Sequence, residues 1–300
     1  MKTKLHIYLA ALLLLTGFIA CHKSLDPRDP ESPTGPVGPG EPGPGTEEQL
    51  DTIPYPQHIS QRCSGAPDYG DSILYMRPGS TDIIAMPLNQ PDSGEYFSWP
   101  TGMVLDRNSG AINISRSEGG VRYHLGYVKK GTADTCIQTI ILGGASYADS
   151  IYVLEDDHRY AKPFFNANTN LVNVCSGSGV PGGGICEWDV DGTAERNRIK
   201  IDNNTGVIDL ENTLKDNAFG LLALDGSTVK VTLAYRLNDN SSMATQYMPV
   251  TLMYYRNKSS VPSDLKLQIN LKLSQILTND LLLFSVAKPR PPIIVVTRYK

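Results

Sequence analysis

The chain has 300 residues, 40% of them hydrophobic, with 21 Pro, 27 Gly, 5 Cys and a net charge of −4. That apolar content is enough for a packed core and excludes a wholly disordered chain. The low, acidic charge provides no electrostatic footprint for nucleic acid. A single long apolar run, at the extreme N-terminus, excludes a protein of many membrane spans.

In chain order, Lys2 and Lys4 precede an apolar run from Ile7 to Ala20, which ends at Cys21. The run is shorter than the ~20 residues a bilayer span requires, and its basic start and small residue before the cut predict a signal peptide over residues 1–20. Residues 21–47 follow as a linker. Pro27, Pro30, Pro33, Pro36, Pro39 and Pro42 recur every third residue, the repeat of polyproline II, and the later glycines loosen the rod.

The body, residues 48–300, alternates apolar and polar positions. Val121, Tyr123, Leu125 and Tyr127 alternate with Arg122, His124 and Gly126, which puts His124 on the outer face, in a solvated or cross-strand role. Val229 to Leu237 and Leu265 to Leu273 alternate likewise, and each reads as a strand with one buried face. Helical spacing is confined to a single turn around Asn212 to Phe219. The fold class expected is all-β, with short strands punctuated by Gly, Asn and Asp turns.

One element repeats at an offset of 96 residues. Leu105-Asp106-Arg107-Asn108-Ser109-Gly110-Ala111-Ile112 matches Ile201-Asp202-Asn203-Asn204-Thr205-Gly206-Val207-Ile208. Asp accepts from the amides that follow it, and Gly supplies a positive φ, so each copy is a tight turn between strands. Cys63-Ser64-Gly65 and Cys175-Ser176-Gly177 stand upstream of the two copies. The repeat divides the body into a first β-sandwich over 48–158 and a second over 159–300, the latter with a C-terminal strand extension.

Three resemblances add to this reading. Phe18-Ile19-Ala20-Cys21 resembles a bacterial lipobox, with Phe where Leu is usual; this implies cleavage before Cys21 and a lipid on its sulfur, a membrane anchor. The Ile-Asp-x-x-Thr-Gly-x-Ile phrase at 201–208 resembles the turn of cadherin-like and bacterial Ig-like repeats, which implies two tandem Greek-key sandwiches used for adhesion, ligand binding or spacing. Asp51-Thr52-Ile53, Asp71-Ser72-Ile73 and Asp149-Ser150-Ile151 resemble the O-glycosylation acceptors of Bacteroidota, which implies an outer-membrane, lipid-anchored protein at the cell surface or the periplasmic face. Cadherins bind calcium through acidic segments near domain ends. Glu155, Asp156 and Asp157 stand in such a place, but calcium requires six to eight oxygens and the rest of the set is not recognisable, so the expectation is no cofactor and a solvated acidic turn.

For an exported protein, Cys175 and Cys186 read as a disulfide closing a glycine-rich loop, with Cys63 and Cys136 as the second bridge among the three pairings four cysteines allow. Tyr96, Phe97, Trp99 and Trp188 stand just before the two repeat turns, where exposed rings would stack on sugars. The competing reading is that one Trp per sandwich fills a core. No Gly-x-Ser-x-Gly or metal-ligand spacing marks an active site. The function expected is therefore non-enzymatic: a cell-envelope lipoprotein whose sandwiches bind a glycan or an envelope protein. The alternatives are a glycan-active β-sandwich enzyme, with two carboxylates in a cleft, and a purely structural spacer.

Overall fold

A computed structural model describes residues 58–60, 66–79, 81–89, 93–99, 102–132, 134–168, 174–175, 186–278 and 292–300, all within one compact unit, Gly38–Lys300. The segment expected to be a signal peptide, Cys21, the proline-rich linker and Cys63 lie outside the described residues.

The first sandwich is built from β1 (His58–Ser60), β2 (Ile73–Leu74), β3 (Ile84–Ala85), β4 (Gly94–Trp99), β5 (Val104–Leu105), β6 (Ile112–Asn113), β7 (Val121–Lys129) and β8 (Asp134–Leu142). One sheet runs β1-β8-β7-β4, with β2 also on β8, and the other runs β3-β6-β5. β1 and β2 are parallel to β8, and the other pairs are antiparallel. Its core holds Ile112, Tyr123, Leu125, Ile140 and Leu142. Tyr123, Leu125 and Tyr127 are all buried, as their alternation requires.

The second sandwich comprises β9 (Ala145–Tyr147), β10 (Ser150–Val153), β11 (Tyr160–Ala161), β12 (Pro163–Phe165), β13 (Glu187–Trp188), β14 (Lys200–Ile201), β15 (Ile208–Asp209), β16 (Ser227–Arg236), β17 (Thr245–Asn257) and β18 (Ile293–Tyr299). Its main sheet runs β10-β18-β17-β16-β13; β11-β15-β14 and β12-β9 face it. Among the described residues, three helices interrupt the strands: α1 (Thr193–Arg196), α2 (Leu210–Lys215) and α3 (Ser263–Thr278). The change of sandwich, expected after 158, falls instead at Gly143–Gly144, because β9 pairs with β12 and β10 with β18. Polar contacts tie the junction. Ala145 N donates to Tyr235 Oη at 3.1 Å, and Asn166 Oδ1 accepts from Gly144 N at 3.0 Å while its Nδ2 donates to Tyr75 Oη at 3.2 Å. The void left there is only about 20 Å3.

The repeated octapeptide is the β5–β6 hairpin in the first sandwich and the β14–β15 hairpin in the second. Asp106 Oδ1 accepts from Asn108 N and Ser109 N at 2.9 and 2.8 Å, and Asp202 Oδ1 from Asn204 N and Thr205 N at 3.0 and 2.7 Å. Gly110 and Gly206 take φ of 72° in both copies. A Cβ there would stand 2.7 Å from the Tyr96 ring and 2.3 Å from the Trp188 ring, so each glycine lies flat on an aromatic. A tyrosine hydroxyl donates to each glycine carbonyl, Tyr69 to Gly110 and Tyr147 to Gly206. The amides of Tyr96 and Trp188, on edge strands β4 and β13, donate to Arg107 O and Asn203 O at 2.8 Å. Each turn thus joins the two sheets of its sandwich and occupies an amide that an edge strand would otherwise expose.

Two local expectations change. The run Leu265 to Leu273, alternating as a strand would, forms α3. Its Leu, Lys, Gln and Asn residues include one β-branched side chain, Ile269, so strand propensity is weak. Leu265 and Ile269, one turn apart, are buried with Tyr255, Val261, Ile293 and Val295, while Leu267 between them is 58% exposed. His124, expected on the outer face in a solvated or cross-strand role, is buried; its register neighbours are Trp99 on one side and Thr139 on the other. Burial, with Arg122 adding to it, lowers its pKa to about 4.

Ile269→Ala should cost about 3 kcal/mol in urea unfolding and Leu267→Ala less than about 0.5 kcal/mol; equal costs would indicate the strand register. His124 stays neutral in the fold down to about pH 4, whereas the unfolded chain takes a proton near 6.5. Stability should be complete above pH 6.5 and decline as pH falls towards 4, by about 2 kcal/mol once partial hydration of the ring is allowed for. His124→Gln should flatten that segment of the stability profile, measured by chemical denaturation from pH 4 to 8.

Candidate functional site

Three of the four aromatics proposed as a binding patch are core residues. Tyr96, Phe97 and Trp188 are 4%, 8% and 2% exposed. Tyr96 is covered by Gly110 and Tyr127, Phe97 lies over Gly126, and Trp188 is stacked on Tyr235 at 5.0 Å with Gly206 against its other side. Trp99 is half-buried, edge-on to Phe97 at 4.7 Å. Tyr96, Phe97 and Trp188 are buried because each is the platform for a repeat turn or for a strand glycine, so these three have no free face for a sugar.

The acidic trio does not lie between the sandwiches. It follows β10 in the second sandwich, where a 3-10 turn (Leu154–Asp156) ends at Asp157 in a left-handed conformation. Groups of the chain engage all three carboxylates, two of them through cations. Lys300 Nζ is 2.7 Å from Asp156 Oδ1, the Lys300 amide donates to Glu155 Oε2 at 3.2 Å, and Arg159 Nε is 2.7 Å from Asp157 Oδ1. The bond to Asp156 raises the Lys300 pKa. Among the described residues no group of three or more His, Cys, Asp or Glu could hold a metal. Cys175 and Cys186 form a disulfide with both residues in the second core. Cys136 is also disulfide-bonded.

A concave polar surface lies elsewhere, on the outer face of β11-β15-β14. Register aligns Tyr160, Asp209 and Lys200 across that face and Ala161, Ile208 and Ile201 towards the core. Tyr160 is 53% exposed and borders an open depression of about 310 Å3, lined also by Lys200, Asp202, Thr205 and Asp209. A second depression of about 400 Å3 shares Lys200 and adds Asn212, Lys215 and Asp216. Asp209 caps α2 by accepting from Asn212 N at 2.9 Å, which fixes that helix beside the sheet. Lys200 pairs with Asp216 at 2.6 Å and Lys215 with Glu211 at 2.6 Å. These bonds hold the carboxyls of Asp216 and Glu211 below their ordinary values, and the turn amides, that of Thr205 foremost, do the same for Asp202. The displacement is opposite to that of a general acid held protonated near neutral pH. The face thus combines one exposed ring with fixed donors and acceptors. Its only sequence sign was the second copy of the repeat, since nothing distinguished Tyr160 among 15 tyrosines.

No protein-family model matches the chain, and no curated protein matches its sequence. Among solved structures it is similar to human protocadherin-24 EC1-2, at 8% identity over 60% of this chain and 91% of that one, with a TM-score of 0.21. It is also similar to the extracellular cadherin domains 1-4 of protocadherin gamma B7, at 12% identity over 63% and 50%, with a TM-score of 0.19.

Proposed function

We propose that the chain is a non-enzymatic, lipid-anchored protein of the bacterial outer membrane whose second sandwich binds a glycan on the outer face of β11-β15-β14. The address rests on the sequence Phe18-Ile19-Ala20-Cys21 and the proline-rich linker that follows it. The binding reading rests on one observation: a half-exposed Tyr160 ring beside an open depression of mixed polar and apolar lining, with Ile201 and Val207 among Lys200, Asp202, Thr205 and Asp209, whose charged groups are oriented by ion pairs and by the α2 cap. A sugar presents an apolar face to an aromatic ring and hydroxyls to carboxylates, amides and ammonium groups, and this surface offers both. The open shape suits a chain-like or terminal glycan better than an enclosed small molecule, which pockets bury on most sides. The downward-shifted carboxylates favour recognition over hydrolysis, where one carboxyl must stay protonated.

A glycan array probed with residues 48–300 should show binding, and Tyr160→Ala should weaken the selected ligand about tenfold, near 1.4 kcal/mol, with the thermal midpoint unchanged. An array without signal, or an unaltered affinity in Tyr160→Ala, would overturn the assignment.

A further inference from the structure

We infer that the loop between α2 and β16 inserts its leucines into the surface of a lipid bilayer. Leu221, Leu222 and Leu224 are 85%, 81% and 66% exposed, against 6% for Phe219 at the entrance of the loop. Phe219 packs on Tyr254 at 5.8 Å and Ala223 packs against the second core, so the leucines are the side chains turned outwards. The backbone is fixed in that form. Gly220 N donates to Asn217 O at 3.0 Å, Ser227 N to Leu224 O at 2.9 Å and Gly226 N to Tyr254 O at 2.8 Å, and the Asp225 carboxylate accepts from the Arg256 amide. Closing this loop does not require leucine at its exposed positions, where polar residues would serve, so an ordered apolar cluster here points to a contact. Being ordered already, the loop loses little further freedom on making it.

Register puts the loop at the end of the second sandwich remote from the first. Tyr235, which meets Ala145 at the junction, faces Gln246 at one end of the β16–β17 ladder. Ser227 faces Tyr254 near the other end, about 27 Å along the strand. β18 runs parallel to β17 and brings Tyr299, 45% exposed, to the same end opposite Asn257. A ring that carries a hydroxyl, beside an apolar tip, suits the boundary between acyl chains and headgroups.

Shape and charge select the partner. A leucine 85% exposed stands on a convex surface, whereas peptides and small ligands are taken up in grooves or along sheet edges. Three side chains present a few hundred Å2, short of the ~800 Å2 per partner of a standard protein interface, so a second copy of the chain fits poorly. A bilayer requires no matching shape and admits an apolar tip to a depth of about 5–10 Å. The charged side chains around the tip balance. Arg256, Lys258, Arg298 and Lys300 stand at or just past the ends of β17 and β18. Asp225 in the loop, Glu155 and Asp156 after β10 and Asp264 at the start of α3 oppose them. Attraction to anionic headgroups is then small, and burial of the leucines decides the contact. Neither the Tyr160 surface nor an acyl group on Cys21 takes part in it.

The test uses the chain from residue 21 with Cys21→Ser, which leaves no acyl site, and vesicles of phosphatidylcholine alone. About half of the protein should float with the vesicles at roughly 0.1 mM accessible lipid, the affinity of a single myristoyl chain. Binding should be equal at about 0.1 M and about 1 M salt, since no net charge is screened. Leu221→Ser, Leu222→Ser and Leu224→Ser combined should lower the partition coefficient at least about tenfold with the thermal midpoint unchanged, because the side chains are exposed. Tyr160→Ala should bind vesicles as the parent does, which separates this contact from glycan binding. Absence of binding, equal binding by the triple variant, or binding that requires anionic lipid and disappears at high salt would overturn the inference. So would a concentration-dependent dimer, seen by light scattering, that the triple variant loses.

Discussion

Each sandwich is organised by an aromatic ring beneath a glycine turn. In the second, Gly206 lies against one side of Trp188 while Tyr235 is stacked on the ring. The hydroxyl of Tyr147 holds the glycine carbonyl, and the Trp188 amide donates back to Asn203 in the same turn. The first sandwich builds the same contact from Gly110, Tyr96 and Tyr69. The turn belongs to one sheet and the ring to the edge strand of the other, so a single local motif sets the sheet-to-sheet distance and covers an edge. With that distance fixed, the outer face of β11-β15-β14 and its Tyr160–Asp209–Lys200 row are fixed as well.

The second sandwich adds to this frame where the first does not. Inserting β18 widens its main sheet, and α3 covers the added surface with Leu265 and Ile269. Of the acidic residues after β10, where a divalent cation was considered from sequence, Glu155 and Asp156 bind the amide and ammonium of Lys300 and Asp157 pairs with Arg159. The surface proposed to bind a glycan lies on the opposing sheet.

Much of the architecture was legible because period-two patterns and a repeated Asp-x-Asn-Ser/Thr-Gly turn are local signals. β7 and β16 fall where alternation places them, and both copies of the turn are hairpins. Alternation misled at Leu265 to Leu273, since apolar Leu265, Leu267 and Ile269 fit a strand face, while only the first and third are buried. At His124 alternation gave the outer face but not its burial, which follows from neighbours on other strands, Trp99 and Thr139 in register with it. The aromatics stood out by composition, yet a ring is a ligand platform or a core platform according to what lies on it. Here that is a glycine many residues away. Tyr160 became visible only through register, which aligns it with Asp209 and Lys200.

The coupling between turn and ring is open to direct measurement by a double-mutant cycle of Gly206→Ala with Trp188→Leu, read by chemical denaturation. With the indole present, a methyl group at a left-handed position and against the ring should cost about 3 kcal/mol; with Leu there, only the backbone cost of about 1 kcal/mol should remain. The account predicts a coupling near 2 kcal/mol between the two sites. Additive losses, with the cost of Gly206→Ala unchanged by removing the indole, would contradict it.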